Sequence, residues 1–211
     1  MKIHVKCEGV TPILFNPKTD DVIAQLMKSK TARKQSTSVD TTPEEIAAKK
    51  VLRDEKGRAG LPGRYLFGNL SEAGRDVQLD ARRKLSTAER TLLPSFLRVE
   101  ETFMPFLEGF KGTDGWITDK DMGRPDPRLP TMPIIRPRFD KWSFGMTLDV
   151  YGDIAEGKVR ELVDKGGLLG LGAFRKKGPY GRYKVVDWKV EDKEGETEKK
   201  QTDKKKKTGK S

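Results

Sequence analysis

Residues 139–190 read FDKWSFGMTLDVYGDIAEGKVRELVDKGGLLGLGAFRKKGPYGRYKVVDWKV, a stretch in which a strand, a helix, a glycine-rich loop and a second strand follow one another. Apolar residues occupy alternate positions between Phe139 and Tyr151, which is the period of a β-strand with one buried face. From Ile154 to Lys165 they recur at helical spacing, and Gly166-Gly167 predicts the end of that helix. Arg182 to Val190 is predicted to be the last strand.

The loop of this stretch, from Gly166 to Gly181, combines six glycines with cations and aromatic rings. Glycines let backbone amides approach a ligand, cations attract phosphates, and aromatic faces stack on bases. A solvated loop is the alternative. We predict nucleic-acid contacts by the cations and rings in and just after this loop: Arg175, Lys176, Lys177, Tyr180, Arg182 and Tyr183.

A first strand is predicted at the N-terminus, where polar and apolar residues alternate strictly from Lys2 to Glu8. Ile3, Val5 and Cys7 form the apolar side, so Cys7 is expected in the core. After a glycine and a proline, the apolar run from Ile13 to Phe15 is predicted to extend this strand beyond a bend.

Two long segments separate these elements. Residues 16–58 are basic and predict an insertion with helical pieces, one of which begins at Thr42-Pro43-Glu44-Glu45. In residues 92–137 we predict an ordered but irregular excursion, because proline cannot donate the hydrogen bonds of a central strand. The prolines concerned are Pro125, Pro127, Pro130, Pro133 and Pro137.

A further helix is predicted from Pro62 to Arg75, where apolar residues repeat at helical spacing. The order of elements predicts an α+β fold in which helices cover one face of an antiparallel sheet and leave the opposite face open to a ligand. We assign residues 1–190 to one domain. Residues 191–211 contain no apolar residue and are predicted to form a disordered lysine-rich tail.

The composition favours a polyanionic partner, since 43 Lys and Arg against 32 Asp and Glu give a net charge of +11. The single histidine, His4, and the single cysteine, Cys7, are too few for a histidine-based triad or a zinc cluster. We therefore predict no catalytic residue, no metal and no cofactor. The sequence shows neither a membrane span nor a signal peptide, so an intracellular protein is expected.

Two segments resemble the RAMP superfamily, the repeat-associated proteins that form the backbone of CRISPR effector complexes. Val51 to Arg75, VLRDEKGRAGLPGRYLFGNLSEAGR, resembles that family's strand-turn and helix start. Gly166 to Val185 resembles its C-terminal glycine-rich loop and the strand that follows. The resemblance covers about half of the chain and implies a ferredoxin-like, RRM-related sheet.

The resemblance also implies a function. Backbone subunits of the family polymerise along a guide RNA, with the glycine loop and the helix start against the phosphates and a thumb insertion over the strand. Residues 16–58 and 92–137 are candidates for such insertions. We expect a non-catalytic protein that forms a homo-oligomer along single-stranded RNA or DNA, with further effector or recombination subunits as partners, in the cytoplasm of a prokaryotic cell or phage-infected host.

The same resemblance extends the candidate site beyond the loop. In an RRM-like sheet the first strand is central and its open face meets RNA, although an ordinary solvated face is the alternative. A cation at the start of the predicted helix would act together with the free amides there, whereas one at its end can be a simple helix charge. The candidates on these elements, with two arginines that flank Pro137, are Lys2, His4, Lys6, Arg64, Arg75, Arg136 and Arg138.

The chain departs from the family pattern at two places. Arg64-Tyr65-Leu66-Phe67-Gly68 stands where the family has Ser-Ser-Leu-Lys-Gly, so a cation replaces the hydroxyls. Ala47-Ala48-Lys49-Lys50 stands where RNA-cleaving subunits have an aspartate, which argues against target cleavage.

Several alternatives stay open from the sequence. The context can be a CRISPR effector on guide RNA or a phage or mobile-element relative on single-stranded DNA. A rival function is a metal-dependent nuclease of the same superfamily that uses Asp20, Asp21 or Asp54. A third is a structural protein whose basic surface binds acidic partners.

Overall fold

A computed structural model describes residues 1–18, 42–123, 131–176 and 178–191. The elements in chain order are β1 (Lys2–Gly9), β2 (Ile13–Leu14), α1 (Pro43–Ala48), β3 (Gly60–Pro62), α2 (Gly63–Ala73), β4 (Leu97–Val99), β5 (Phe103–Pro105), β6 (Ile117–Gly123), β7 (Met132–Phe139), β8 (Ser143–Val150), α3 (Glu156–Leu169) and β9 (Tyr183–Glu191). Single 3-10 turns follow α2 at Gly74–Asp76 and precede β4 at Leu93–Ser95. Residues 19–41 of the predicted insertion and residues 192–211 of the predicted tail lie outside the described residues.

The main sheet has the strand order β4-β8-β1-β9 and is antiparallel throughout. In the register of β1 and β8, Ile3 faces Leu148 and Val5 faces Met146, so the apolar sides of both strands coincide. The chain order β1, α2, β4, β8, α3, β9 with β1 inside the sheet is the ferredoxin-like arrangement. The predicted α+β fold class and the central first strand are confirmed.

The core lies between the inner face of this sheet and the two long helices. Cys7 is fully buried, as predicted, and burial raises the pKa of its thiol to about 12. Leu66 and Leu70 of α2 and Leu162 of α3 are also fully buried in the same cluster. The aliphatic stripes of both helices therefore pack on the apolar sides of the strands.

The predicted helix start at Thr42 is confirmed. The Thr42 side chain accepts a hydrogen bond from the Glu45 amide, and the Glu45 carboxylate accepts one from the Thr42 amide. This reciprocal pair satisfies two amides that α1 would leave unpaired. The helix predicted from Pro62 to Arg75 is α2 with its 3-10 continuation and is confirmed as well.

The prediction that the prolines cannot lie in a central strand is wrong for Pro133 and Pro137. Both belong to β7, the middle strand of a second sheet of order β2-β7-β6. The carbonyl of Pro137 accepts from the Phe15 amide, on the side of β7 that faces away from β6. By strand alternation, the nitrogen of Pro133 points to the same side. Because β2 pairs only with Arg138 and Phe139, no ladder hydrogen bond requires an amide at either proline. Pro125, Pro127 and Pro130 lie outside the described residues.

Three predicted boundaries are also corrected. The strand predicted over Phe139–Tyr151 is divided, because Phe139 ends β7 and β8 starts at Ser143. The run from Ile13 does not extend β1, since β2 pairs with β7 instead. Helix α3 continues through Gly166-Gly167 and ends at Leu169, before Gly170, which has a φ of +79°.

The two glycines inside α3 allow a close approach of that helix to its neighbours. A Cβ on Gly166 would lie 2.5 Å from Asn69 Oδ1, and the carbonyl oxygen of Tyr183 leaves no room for one on Gly167. These glycines are therefore packing positions within the helix, not its end.

Candidate nucleic-acid interface

A cleft of about 390 Å³ lies where the start of α2 meets the glycine-rich loop. Arg64, Tyr65 and Gly68 of α2 form one wall, and residues of the loop form another. Arg175 belongs to the loop wall, so the structure brings Arg64 and Arg175 to the same cleft although they are far apart in sequence. The remaining lining residues are Leu14, Phe15, Asn16, Pro17, Leu52, Gly172 and Ala173.

The start of α2 presents an exposed cation beside uncapped amides. No side chain caps the helix at Pro62, and the Gly63 amide donates to the Thr102 carbonyl. The Arg64 guanidinium lies 5.5 Å from the centre of the Tyr65 ring. Within the described part of the chain no ion pair involves Arg64. The helix dipole and this charge both favour an anion here.

The glycine-rich loop is held against the protein by its own backbone. The Ala173 amide donates to the Leu14 carbonyl at 2.8 Å, and the Gly181 amide donates to the Pro12 carbonyl at 2.8 Å. Gly172 has a φ of +79°, and a Cβ there would lie 2.6 Å from the Leu14 carbonyl oxygen. The sequence predicts that the glycines bring backbone amides to a ligand. In the structure, Gly172 and Gly181 allow close packing within the protein, and the amides of Ala173 and Gly181 bind protein carbonyls.

The carboxylate of Glu72 forms ion pairs with two cations of the loop. Glu72 of α2 accepts from Arg175 Nη2 at 2.7 Å and lies 2.9 Å from Lys176 Nζ. The hydrogen bond from Arg175 contributes most to holding the pKa of Glu72 below its ordinary value. Because two positive charges share one negative charge, this cluster keeps a net charge of +1. Lys177 lies outside the described residues.

Arg136 is buried and does not face a ligand, so its predicted contact is wrong. Only 2% of its side chain is exposed, and it binds Asp119 at 2.6 Å and Asp121 at 2.9 Å. Its guanidinium lies 3.9 Å from the ring centre of Phe174, which has a φ of +62°. Arg136 thus ties β6 and β7 to the glycine-rich loop. Arg138 is one-third exposed and pairs with Asp140 at 2.8 Å.

Tyr183 belongs to the core, and the predicted base-stacking role for its ring is wrong. Its hydroxyl donates to Asn69 Oδ1 at 3.0 Å, and burial raises the pKa of the phenol. Asn69 Nδ2 donates to the carbonyls of Gly166 and Gly170 at the end of α3. Tyr180 is half-buried beside Gly178.

The outer face of the main sheet carries compensated charges. Lys2 and His4 face outward, as predicted, but Lys2 pairs with Glu100 at 2.7 Å, and His4 Nε2 lies 3.3 Å from the Glu191 carboxylate. Ion pairs also join Glu8 to Lys184, Asp149 to Arg98 and Asp187 to Lys189. Among the described residues of the four strands, no aromatic ring faces outward, and this face therefore lacks the stacking platforms of an RRM sheet.

The other predicted cations are exposed at separate places. Lys6 is exposed in β1 without an ion pair among the described residues. Arg75 lies at the opposite end of α2 from Arg64, about 16 Å along the helix axis. Arg182 is exposed, and its amide donates to Thr11 Oγ1 at 3.0 Å.

Sequence reasoning missed residues that complete the cleft. Asn16 lines it and accepts from Lys50 Nζ at 3.0 Å, and the same ammonium donates to the Ile135 carbonyl at 2.6 Å. Burial lowers the pKa of Lys50. No local pattern marks these residues, because the contact joins segments that are distant in sequence.

The described residues contain no group of three or more His, Cys, Asp or Glu that could hold a metal ion. Asp54 instead accepts from Arg58 Nε at 2.8 Å and from the amides of Lys56 and Arg58. Asp20 and Asp21 lie outside the described residues. None of the described helices has the length and hydrophobicity needed to cross a membrane.

Comparison with known proteins gives a similarity of fold. No protein-family model matches the chain, and no curated protein matches it. A chain in the cryo-EM structure of the type III-B Cmr-beta bound to cognate target RNA is similar, with a TM-score of 0.53 and 13% sequence identity. The similarity covers 90% of this chain and 60% of that chain, so this protein spans less than two-thirds of the length of its structural neighbour.

Proposed function

We propose that the protein is a non-catalytic, RAMP-like protein that binds the sugar-phosphate backbone of a single-stranded nucleic acid in the cleft between α2 and the glycine-rich loop. The observation that carries this proposal is the convergence of Arg64 and Arg175 on one cleft. The fold similarity to a chain of a structure that contains target RNA supports it.

The chemistry of the cleft favours contacts to phosphate over contacts to bases. Arg64 supplies a cation without an acidic partner among the described residues, beside uncapped helix amides. The positive charge of Arg175 is only partly compensated, because Arg175 and Lys176 share the single carboxylate of Glu72. Contacts of this kind fix the position of a strand and carry little sequence information.

The proposed context is a multi-subunit assembly on RNA. We infer that copies of the protein lie along a strand as a CRISPR effector backbone on guide RNA, in the cytoplasm of a prokaryotic cell. A phage-type relative that coats single-stranded DNA has the same requirements for phosphate contacts. Sizing of complexes on long homopolymer RNA and DNA distinguishes the two by the strand that supports multiple copies.

Filter binding across a salt series tests the cleft with Arg64→Gln and a matched control, Lys56→Gln. Lys56 is exposed and does not line the cleft. We expect Arg64→Gln to weaken binding by about tenfold and to reduce the salt slope by about 1, because one phosphate contact is lost. Lys56→Gln should leave both unchanged.

Equal affinity of Arg64→Gln and the wild-type protein would contradict the proposed cleft. The same mixtures with Mg²⁺ or Mn²⁺ should contain intact strands after incubation. Cleavage that disappears in Asp54→Ala would instead favour the nuclease.

A further inference from the structure

A second basic cavity lies away from the cleft, in the connection between α2 and β4. Residues 78–92, here called the basic loop, enclose about 380 Å³. Arg82, Arg83, Lys84 and Arg90 line this cavity. Among its described lining residues there is no aspartate or glutamate. The walls therefore have the charge of an anion-binding site.

The basic loop is shaped by two side chains that hold its turns. Asp80 Oδ1 accepts from the amides of Arg82 and Arg83, each at 2.9 Å, and Thr87 Oγ1 accepts from the Arg90 amide at 3.2 Å. Such short-range bonds fix turns without a helix or strand. Leu85 is fully buried beneath the loop. The cations thus project from a backbone that is anchored to the core.

Most of the positive charge in this cavity is uncompensated. Arg83 pairs with Asp80 at 2.7 Å. Within the described residues no ion pair involves Arg82, Lys84 or Arg90. Like charges around one cavity repel each other, and an anion between them removes that repulsion.

The other walls indicate what the anion is attached to. Ala81 and Leu92 contribute apolar surface beside the cations. The volume lies in the range of cavities that hold organic ligands and exceeds what a bare phosphate fills. We propose that this cavity binds the phosphate of a nucleotide, with the sugar or base against the apolar wall.

The nucleotide can be free or terminal, or it can be an internal unit of a bound strand. The cavity follows the C-terminal end of α2, whereas the cleft lies at its N-terminal end. The two sites therefore have separate residues and can be tested separately.

Isothermal titration at low salt with adenosine 5′-monophosphate, adenosine and inorganic phosphate tests the cavity in the full chain. The variant is Arg82→Gln with Lys84→Gln, and the control is Lys56→Gln with Lys141→Gln, which removes the same charge outside the cavity. For a free nucleotide we expect the monophosphate to bind, adenosine not to bind, and the variant to lose about tenfold or more in affinity. Monophosphate binding that is detectable and equally tight in the variant and the wild-type protein would overturn the proposal.

Short oligouridylate with and without a 5′-phosphate distinguishes the sources. Tighter binding of the phosphorylated strand, lost in the variant, indicates a terminal phosphate. If the monophosphate does not bind, a variant that loses affinity for oligouridylate with and without the 5′-phosphate indicates that the cavity binds an internal nucleotide. A variant that keeps the wild-type affinity for both oligonucleotides would refute the proposed site. Arg64→Gln should leave monophosphate binding intact, so failure at the cavity and failure at the cleft are distinguishable.

Discussion

Asn69 links three elements through one side chain. It donates to the carbonyls of Gly166 and Gly170 and accepts from the hydroxyl of Tyr183, so α2, α3 and β9 meet at this residue. A buried amide with all three bonds satisfied stabilises a single arrangement of its neighbours. Because α3 ends at Leu169, Asn69 also sets where the chain leaves the helix and continues into the non-helical part of the glycine-rich loop.

Tyr183→Phe should lower the free energy of unfolding by about 1–3 kcal/mol, because the buried Oδ1 of Asn69 loses its donor. Urea denaturation measures the loss. Tyr180→Phe is the matched control, since that ring is half-buried and no hydrogen bond within the described residues involves its hydroxyl. Reduced nucleic-acid affinity of Tyr183→Phe at unchanged stability would contradict its assignment to the core.

Strands and helices were predictable from the sequence where their apolar pattern is local. The alternation of β1 and β8 and the stripe of α2 each identify a buried face without reference to a partner. The same alternation is sufficient to place Tyr183 beside Val185 on the inner face of β9. The aromatic ring alone suggests a ligand contact, whereas the period of the strand places it in the core.

Other features depend on contacts that a single sequence does not encode. Whether Pro137 can enter a central strand depends on which neighbour faces its nitrogen, and β2 is too short to require an amide there. The burial of Arg136 requires two carboxylates from β6, on the partner strand. The family resemblance implies that the helix start and the glycine-rich loop both meet the strand, but it does not indicate that Asn16 and Leu52 line the cleft.

Gly172→Ala should displace the loop from β2. A φ of +79° is unfavourable for alanine by about 1–2 kcal/mol, and its Cβ would lie 2.6 Å from the Leu14 carbonyl oxygen. We expect lower stability and weaker oligonucleotide binding in parallel melting and filter assays. Gly157→Ala in α3 is the control, because a Cβ there meets open space and stability should stay the same or rise by up to about 1 kcal/mol.

At the scale of the whole molecule, charge is unevenly distributed. The net charge is +11, yet most charged side chains on the outer face of the main sheet are ion-paired. Cations without such partners among the described residues include Arg64 at the cleft and three residues of the basic loop. Among the described residues, the open sheet face, which an RRM uses for RNA, is therefore not the cationic side.

Glu72→Gln should tighten nucleic-acid binding and steepen its salt dependence by about 1, since the carboxylate competes with phosphate for Arg175 and Lys176. Filter binding across a salt series measures both effects. Glu161→Gln is the matched control, because that carboxylate pairs with Lys158 and Lys165 on α3. Unchanged binding by Glu72→Gln would show that the two loop cations do not touch the strand.

The effect of Glu72→Gln on the free energy of unfolding should depend on pH. The pKa of Glu72 is lowered in the folded protein, chiefly by the hydrogen bond from Arg175. Its ion pairs therefore stabilise the fold above the ordinary glutamate pKa, and this contribution disappears as the pH falls through the lowered value. Wild-type and Glu72→Gln unfolding energies should converge under acid conditions.

The compensated sheet face has a kinetic consequence. A body that is neutral on one flank and positive elsewhere has a long-range field that turns it as it diffuses towards a polyanion. When the ion-paired sheet face approaches the polyanion first, there is no electrostatic attraction. The protein is therefore already oriented for productive binding before contact. Added salt should then slow association more strongly than it speeds dissociation.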